Sequence, residues 1–398
     1  TFFKVNSMGI ITSRDGWVYN YSSNKIKENI KSLIDFYNSQ LNKYEQYISN
    51  EKTEIDSFID TNPTKISWSA NLKKELKRLN PLSFNSENIK ISIYRPFCKH
   101  IIYFNKSLIE RTGLSDKIFL NKPDENRVIS VIGSGEEKGF STLITNSLID
   151  FKTLYNTQCF PLYYYEENNA TQQQGLFDTD TENQYTRHDA ISDFILKRAV
   201  QQYGVKKGGI TKEDIFYYVY GFLHSKEYRE AFANDLKKML PRLPLVDDVR
   251  DFWKFSNAGR ALAELHLNYE TVPPADEVTV QMPDVQERTD AYTFYEVQKM
   301  RYPKKGQTDT IIYNSRIRIT NIPEKAYEYV VNGKSAIDWI LERYQVKTDK
   351  KSGITNNPND WAREHECPKY ILDLLLSVIN VSLQTVDIVE SLPKVKFE

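Results

Sequence analysis

Residues Ile215–Glu270 read IFYYVYGFLHSKEYREAFANDLKKMLPRLPLVDDVRDFWKFSNAGRALAELHLNYE. Residues that cap helices punctuate this text. Just ahead of it, Thr211 with Asp214 has the form of a capping box, in which each side chain accepts from the other residue's backbone N–H. Ser225 can cap the next helix, which stops before Pro241 because proline offers no N–H to a helix interior. Asp247 or Asp248 opens another, running through Asn268. One helix precedes these, with Asp189 as its candidate cap and the glycine-bearing run Gly204–Gly209 (GVKKGG) at its end. The connections are short, which predicts antiparallel packing in a helical bundle over residues 187–270.

Outward from the bundle the pattern changes. Glu166–Gln184, EENNATQQQGLFDTDTENQ, has no apolar period and reads as a linker over residues 166–186. Before it lies an N-terminal α+β part, residues 1–165. A short extended segment, Gly9–Tyr21, leads into apolar residues at helical spacing: Ile26, Ile30, Leu33, Ile34, Tyr37, Leu41, Tyr44 and Ile48. They predict a long amphipathic helix from about Asn24 to Ser49, then a second helix, then a short basic one over about Ser69–Leu79. Strands are expected at Ile89–Ile93, Ile101–Tyr103, Val128–Ile132, Thr142–Ile144 and Phe160–Tyr165.

After Pro273-Pro274 a C-terminal part, residues 271–398, begins. Val278–Gln281, Tyr295–Met300, Thr310–Tyr313 and Arg316–Thr320 read as strands, with a turn at Pro303–Gly306. A helix over about Ser335–Tyr344 is followed by a polar loop. A last helix starts at Pro368 and carries Ile371, Leu374, Leu375, Val378 and Ile379. The fold class is α+β: mixed sheet segments with a long N-terminal helix, a central helical bundle and a C-terminal α/β part.

Composition bounds the function. The 398 residues include 53 basic and 53 acidic side chains, so the formal net charge is zero. A nucleic-acid binder is usually basic overall, but a mean can hide a patch. Three cysteines without a CxxC pair argue against a structural zinc site or a disulfide scaffold, and a reducing cytoplasm fits. No apolar run approaches the length of a membrane span, and no signal peptide is visible. The opening Thr1-Phe2-Phe3-Lys4-Val5 reads as a cut from a longer polypeptide.

Catalytic motifs are mostly missing. Val131-Ile132-Gly133-Ser134-Gly135 only approaches a nucleotide-holding turn, and Glu136–Phe140 after it does not look helical; a hairpin turn is the plainer reading. Cys159-Phe160-Pro161-Leu162-Tyr163 lacks the Asn or Asp of a base-gripping NPPY-type tetrapeptide. There is no GxxxxGK[ST] run. Pro123-Asp124 with Glu136-Glu137-Lys138 fits the spacing of a metal-dependent nuclease, but glycines surround the second half. His365-Glu366-Cys367 has no partner pair nearby, and Asp178–Glu182 lacks the glycine of a calcium loop. No catalytic residue, metal ligand or cofactor is assigned to this chain.

Binding remains. Lys65, Lys73, Lys74, Lys77 and Arg78 cluster in one short span; Lys206-Lys207 lies in a helix connection; Lys304-Lys305 sits at a hairpin tip. Arg316 and Arg318 alternate along an expected strand and so share a face. Lys347, Lys350 and Lys351 flank Ser352-Gly353-Ile354 and the run holding Asn356, Asn357 and Asn359. Phosphates attract Lys and Arg whatever the sequence, while Arg, Asn and Gln read base edges. For any one pair alone, a solvated surface is the plain alternative. The candidate DNA-binding set is Lys73, Lys74, Lys77, Arg78, Lys304, Lys305, Arg316, Arg318, Lys347, Lys350 and Lys351.

Five blocks, Gly9–Tyr19 (GIITSRDGWVY), Tyr94–Asn105 (YRPFCKHIIYFN), Cys159–Tyr164 (CFPLYY), Ile215–Glu270 and Gly333–Trp361, stand in an order that resembles the C-terminal region of type ISP restriction–modification polypeptides. Cys98 stands where that family more often has Asp, so no role is carried to it. The resemblance implies a target-recognition region that selects a short sequence in double-stranded DNA and holds it for adenine methylation. It implies methyltransferase and helicase domains in the same polypeptide, with S-adenosylmethionine, ATP and Mg used there. A structural coupler between motor and methyltransferase, or a Mg-dependent nuclease fragment, are the alternatives.

Overall fold

The computed structural model describes residues 1–48, 54–120, 126–135, 138–168, 185–204, 209–284 and 290–397. The fold is α+β.

The long amphipathic helix runs Ser23–Ile48, and Ile26, Ile30, Leu33, Ile34, Tyr37, Leu41 and Tyr44 are its buried face. It packs near a four-stranded sheet in the order Tyr19–Asn20, Cys98–Tyr103, Ile89–Arg95, Leu148–Ile149. The first three strands are antiparallel and the last is parallel to its neighbour. A second sheet, wholly antiparallel, runs Ser7–Met8, Gln158–Pro161, Val128–Val131, Thr142–Thr145. Every residue of Val128–Val131 is buried, because the helical bundle covers a face.

In the bundle, helices Asp193–Tyr203, Lys212–Phe222, Lys226–Ala231, Ala233–Leu236 and Val249–Leu267 follow in order. The Thr211–Asp214 capping box forms as the text predicts, and Ser225 and Asp248 cap their helices. Lys212–Phe222 and Val249–Leu267 cross at Gly221 and Gly259. A Cβ on Gly221 would stand 2.1 Å from the Phe255 carbonyl oxygen, and one on Gly259 1.8 Å from that of Tyr217. Only glycine lets two helix backbones approach so closely. Tyr218, Phe222, Phe252 and Phe255 fill the space beside the crossing.

The C-terminal part carries a three-stranded antiparallel sheet, Thr279–Gln281, Arg318–Thr320, Ile311–Ile312. Two hairpins, Val330–Val331 with Lys334–Ser335 and Lys347–Thr348 with Thr355–Asn356, flank the helix Ala336–Arg343. The final helix, Tyr370–Glu390, lies through the core. Among the described residues three apolar cores form, and each draws on more than one sequence division. Tyr21, Phe97 and Leu143 join the C-terminal core; Ile354 and Trp361 pack on the N-terminal one; Ile129, Ile144 and Leu392 join the bundle.

Several sequence expectations need correction. Gly9–Tyr21 is not extended throughout: Asp15–Val18 makes one helical turn. Asp189 is not a cap; it ends the strand Tyr185–Asp189, paired with Tyr163–Glu167, and Ser192 caps the helix instead. Glu166 and Glu167 therefore belong to a strand, while residues 169–184 of the expected linker lie outside the described residues. Tyr295–Met300 is no strand, because Asp290 caps a helix over Ala291–Tyr295. The polar loop before the last helix hides the helix Pro358–Glu364, capped by Asn357 with Pro358 at its first turn. The reading that no run approaches a membrane span is also corrected. Tyr370–Glu390 has a mean hydropathy of 1.6, enough to cross by length and composition, but 67% of its most apolar window is buried inside the protein. It serves as a core helix.

Candidate nucleic-acid interface

Three of the sequence blocks converge on one open cleft of about 480 Å³. Asp15, Gly16 and Tyr19 come from the first block, Tyr94 and His100 from the second, and Arg343 with the Lys347–Asn356 hairpin from the last. Polar side chains hold the hairpin in place. Asn356 donates through its amide to His100 Nε2 at 2.9 Å and accepts from the Tyr21 backbone N–H at 2.9 Å. Asn20 donates to the Thr355 carbonyl at 3.3 Å. Since Asn356 donates to Nε2, the imidazole must be neutral, and burial pushes its pKa down to about 3. A Cβ on Gly16 would stand 3.2 Å from Asp349 Cγ, so the hairpin loop lies against the first block.

The floor of the cleft is an aromatic and ionic platform. Tyr94 donates to Asp15 Oδ2 at 3.0 Å, and the Arg95 guanidinium lies 4.0 Å over the Tyr94 ring. Arg95 also pairs with buried Asp150 at 2.7 Å. Desolvation outweighs Arg95 there and pushes the Asp150 carboxyl up to about 6. The strands that carry Arg95 and Cys98 are joined by the tight turn Pro96-Phe97, where Phe97 takes φ of 57°. Its ring is locked against Tyr269, Tyr329 and His266. Cys98 is buried beneath, its Sγ 3.3 Å from the Tyr21 hydroxyl.

Above this platform the hairpin loop is shaped by Asp349, whose Oδ1 accepts from the Ser352 backbone N–H at 2.7 Å and the Lys351 N–H at 3.2 Å. Gly353 follows at φ of 74°. Lys347, Lys350 and Lys351 are exposed, and none makes an ion pair among the described residues. Their charges face solvent at the mouth of the cleft.

The other candidates sit elsewhere. Lys73, Lys74 and Lys77 lie on the helix Ala70–Lys77, with Arg78 at its C-cap. Lys73 pairs with Asp56, and Arg78 pairs with Glu75 at 3.3 Å; Lys74 and Lys77 are exposed. Lys304 and Lys305 are exposed in a turn closed by the Gln307 N–H to the Lys304 carbonyl. Arg316 and Arg318 are both exposed while Ile317 and Ile319 are buried, so they do share a face. Only Arg318 is in the strand; Arg316 precedes it in a turn held by Asn314 and lies 5.9 Å over the Phe294 ring. Of the eleven candidates, only Lys347, Lys350 and Lys351 line the cleft. Reading charges alone missed Asp15, Tyr94, Arg95 and His100, which build the platform. Their signal was position, since all four lie in blocks that carry the resemblance.

The motifs weighed for catalysis fare as follows. The Gly133 and Gly135 N–H groups donate to the Tyr155 and Lys237 carbonyls at 3.1 and 2.9 Å, so they do not form a cradle for a nucleotide. His365 stacks on Trp361 with ring centroids 3.8 Å apart. Among the described residues no group of three His, Cys, Asp or Glu is placed to hold a metal ion. Pro123-Asp124, Glu136-Glu137, Asp178–Glu182 and Lys206-Lys207 lie outside the described residues.

Comparison with curated proteins finds no match. Among solved structures, the chain is similar to a nuclease-deletion mutant of the Type ISP restriction–modification enzyme LlaGI in complex with a DNA substrate mimic. The identity is 38% and the TM-score 0.84, over all of this chain and 34% of that one. It is similar to the ATP-dependent Type ISP enzyme LlaBIII bound to DNA, at 36% identity and TM-score 0.84, over all of this chain and 24% of that one. It also matches DrdV in a DNA complex, at 27% and 0.79, over 36% of that chain. The chain thus spans about a quarter to a third of the length of these proteins. The family model for the Type ISP C-terminal specificity domain matches residues 1–374, and this chain belongs to that family.

Proposed function

We propose that the chain selects a short duplex DNA sequence and holds it for adenine methylation and cleavage by other domains of one polypeptide. The observation that carries this reading is the cleft. Blocks far apart in sequence meet there, and the hairpin above them offers three cations that make no ion pair among the described residues. Cations of this kind attract phosphates whatever the sequence. Lys304, Lys305, Arg316, Arg318 and the Lys73–Arg78 helix are proposed as further phosphate contacts. The domains that would use S-adenosylmethionine, ATP and Mg are proposed to lie in the rest of the polypeptide, in the cytoplasm.

The helical middle supports a second role, that of coupler. Several of its charges pair within it: Arg260 with Glu213 and Asp214, Arg250 with Asp248, Lys254 with Asp251, and Lys212 with Asp189 and Asp193. We propose it as the rigid frame between the DNA-facing parts and neighbouring domains. The test of the main reading is selection from a pool of random duplexes. Enrichment of one short motif is expected, with affinity that falls as salt rises. Recovery of no motif would leave only the coupler.

A further inference from the structure

A cavity of about 220 Å³ lies where the bundle, the segment around residue 141, the Val330–Val331 hairpin and the final helix meet. Two of the groups lining it are buried polar atoms with no protein partner, His224 Nε2 and the Tyr329 hydroxyl. His224 is 3% exposed and Tyr329 7%. A third is Arg229, whose Nε donates to the Leu223 carbonyl at 2.6 Å. Its guanidinium lies 5.4 Å over the Phe140 ring and makes no ion pair among the described residues. Uncompensated polar groups and charges in such a place are costly, so their grouping calls for a ligand.

The chemistry of that ligand follows from the tautomer of His224. Its Nδ1 lies 2.8 Å from the Tyr220 carbonyl oxygen, which can only accept, so Nδ1 carries the proton. Burial keeps the ring neutral, so Nε2 presents a lone pair. His266 fixes the wall behind: it stacks on Tyr329 at 5.2 Å, and its Nε2 lies 2.9 Å from Thr385 Oγ1. The cavity therefore offers a cation, a hydroxyl and an acceptor. At the rim stand exposed Lys226 and Lys138 and one exposed carboxylate, Glu328.

We propose that this cavity binds a tetrahedral oxyanion that carries a proton, hydrogen phosphate, with its P–OH donating to His224 Nε2 and its other oxygens accepting from Arg229 and Tyr329. Binding there would clamp the bundle to the C-terminal part. Sulfate has the same shape but no proton at neutral pH, and it would leave Nε2 unsatisfied. The test is calorimetric titration of this chain with sodium phosphate and with sodium sulfate at pH 7 and constant ionic strength. Phosphate should bind at least about tenfold more tightly than sulfate, because a site built for a hydrogen bond rejects an analogue that lacks it. Arg229→Gln should abolish binding. Tyr329→Phe removes a hydroxyl that has no protein partner, so it should leave the melting temperature without phosphate unchanged and still weaken phosphate binding several-fold. No phosphate binding by the wild type, or equal affinity for both ions with no effect of Tyr329→Phe (an adventitious ion only), would overturn the proposal.

Discussion

In the helical middle, Asp193–Leu267, two helix backbones touch and Arg260 bridges Glu213 and Asp214 across them; at the Lys347–Asn356 hairpin, contact runs through polar side chains and the cations stay open. The difference is one of what each region can tolerate. A helix crossing without Cβ atoms cannot shift without a clash, so it suits a frame. A hairpin seated on Asn356 and His100 can change its outer residues without disturbing its seat, so it suits a reading surface.

The largest effect should come from the frame. Gly259→Ala places a methyl group where only a backbone oxygen fits, and it should cost more than about 4 kcal/mol or prevent folding. Urea unfolding measures it, and a loss under about 1 kcal/mol would show that the crossing can relax. Next is the joint between the two regions. Phe97 fills the aromatic pocket of Tyr269, Tyr329 and His266, so Phe97→Ala should cost about 3–5 kcal/mol in the same unfolding measurement while the hairpin's own residues are unchanged.

Acid should then weaken both regions. His100 under the hairpin and His266 in the bundle are pushed down to about 3, and His224 well below its ordinary 6.5. An imidazole whose folded pKa is depressed contributes stability above its unfolded value of 6.5, and that stability is lost as pH falls toward its folded pKa. Each such group contributes a slope of roughly 1.4 kcal/mol per pH unit in that window. Asp150, pushed up to about 6, acts in the opposite sense between its ordinary 3.8 and 6 and cancels about one of the three. Denaturant midpoints should therefore fall from pH 7 to pH 5; a flat profile would mean that these imidazoles titrate normally. The smallest effect should follow Arg250→Ala with Lys254→Ala in the bundle. These exposed, solvent-screened pairs should leave the urea midpoint nearly unchanged, and DNA binding should keep its salt slope. A changed slope would extend the interface into the frame.

The bundle was legible in sequence because its boundaries are local. The Thr211–Asp214 box and the Ser225 and Asp248 caps announce themselves within a few residues. The Gly221–Gly259 contact was not, since nothing local says that two distant glycines face each other. Short strands of the C-terminal part were read too long, because propensity extends past the residues that find a partner: Thr310–Tyr313 pairs only over Ile311–Ile312, and Arg316–Thr320 only over Arg318–Thr320. The cleft was half legible. The loop lysines showed as charge, but the platform of Asp15, Tyr94, Arg95 and His100 exists only once two distant segments meet, and the hairpin seats on it from a third.

The central claim is that the hairpin's open cations face DNA. The direct measurement is duplex affinity at several salt concentrations for wild type and for Lys347→Ala/Lys350→Ala/Lys351→Ala, with Lys304→Ala/Lys305→Ala and Arg316→Ala/Arg318→Ala alongside. Removing one cation from a phosphate should lower the slope of log affinity against log salt by about one unit, so the triple variant should fall by about three and the others by no more than about two each. An unchanged affinity and slope in the triple variant would contradict the account and take the cleft out of the DNA interface.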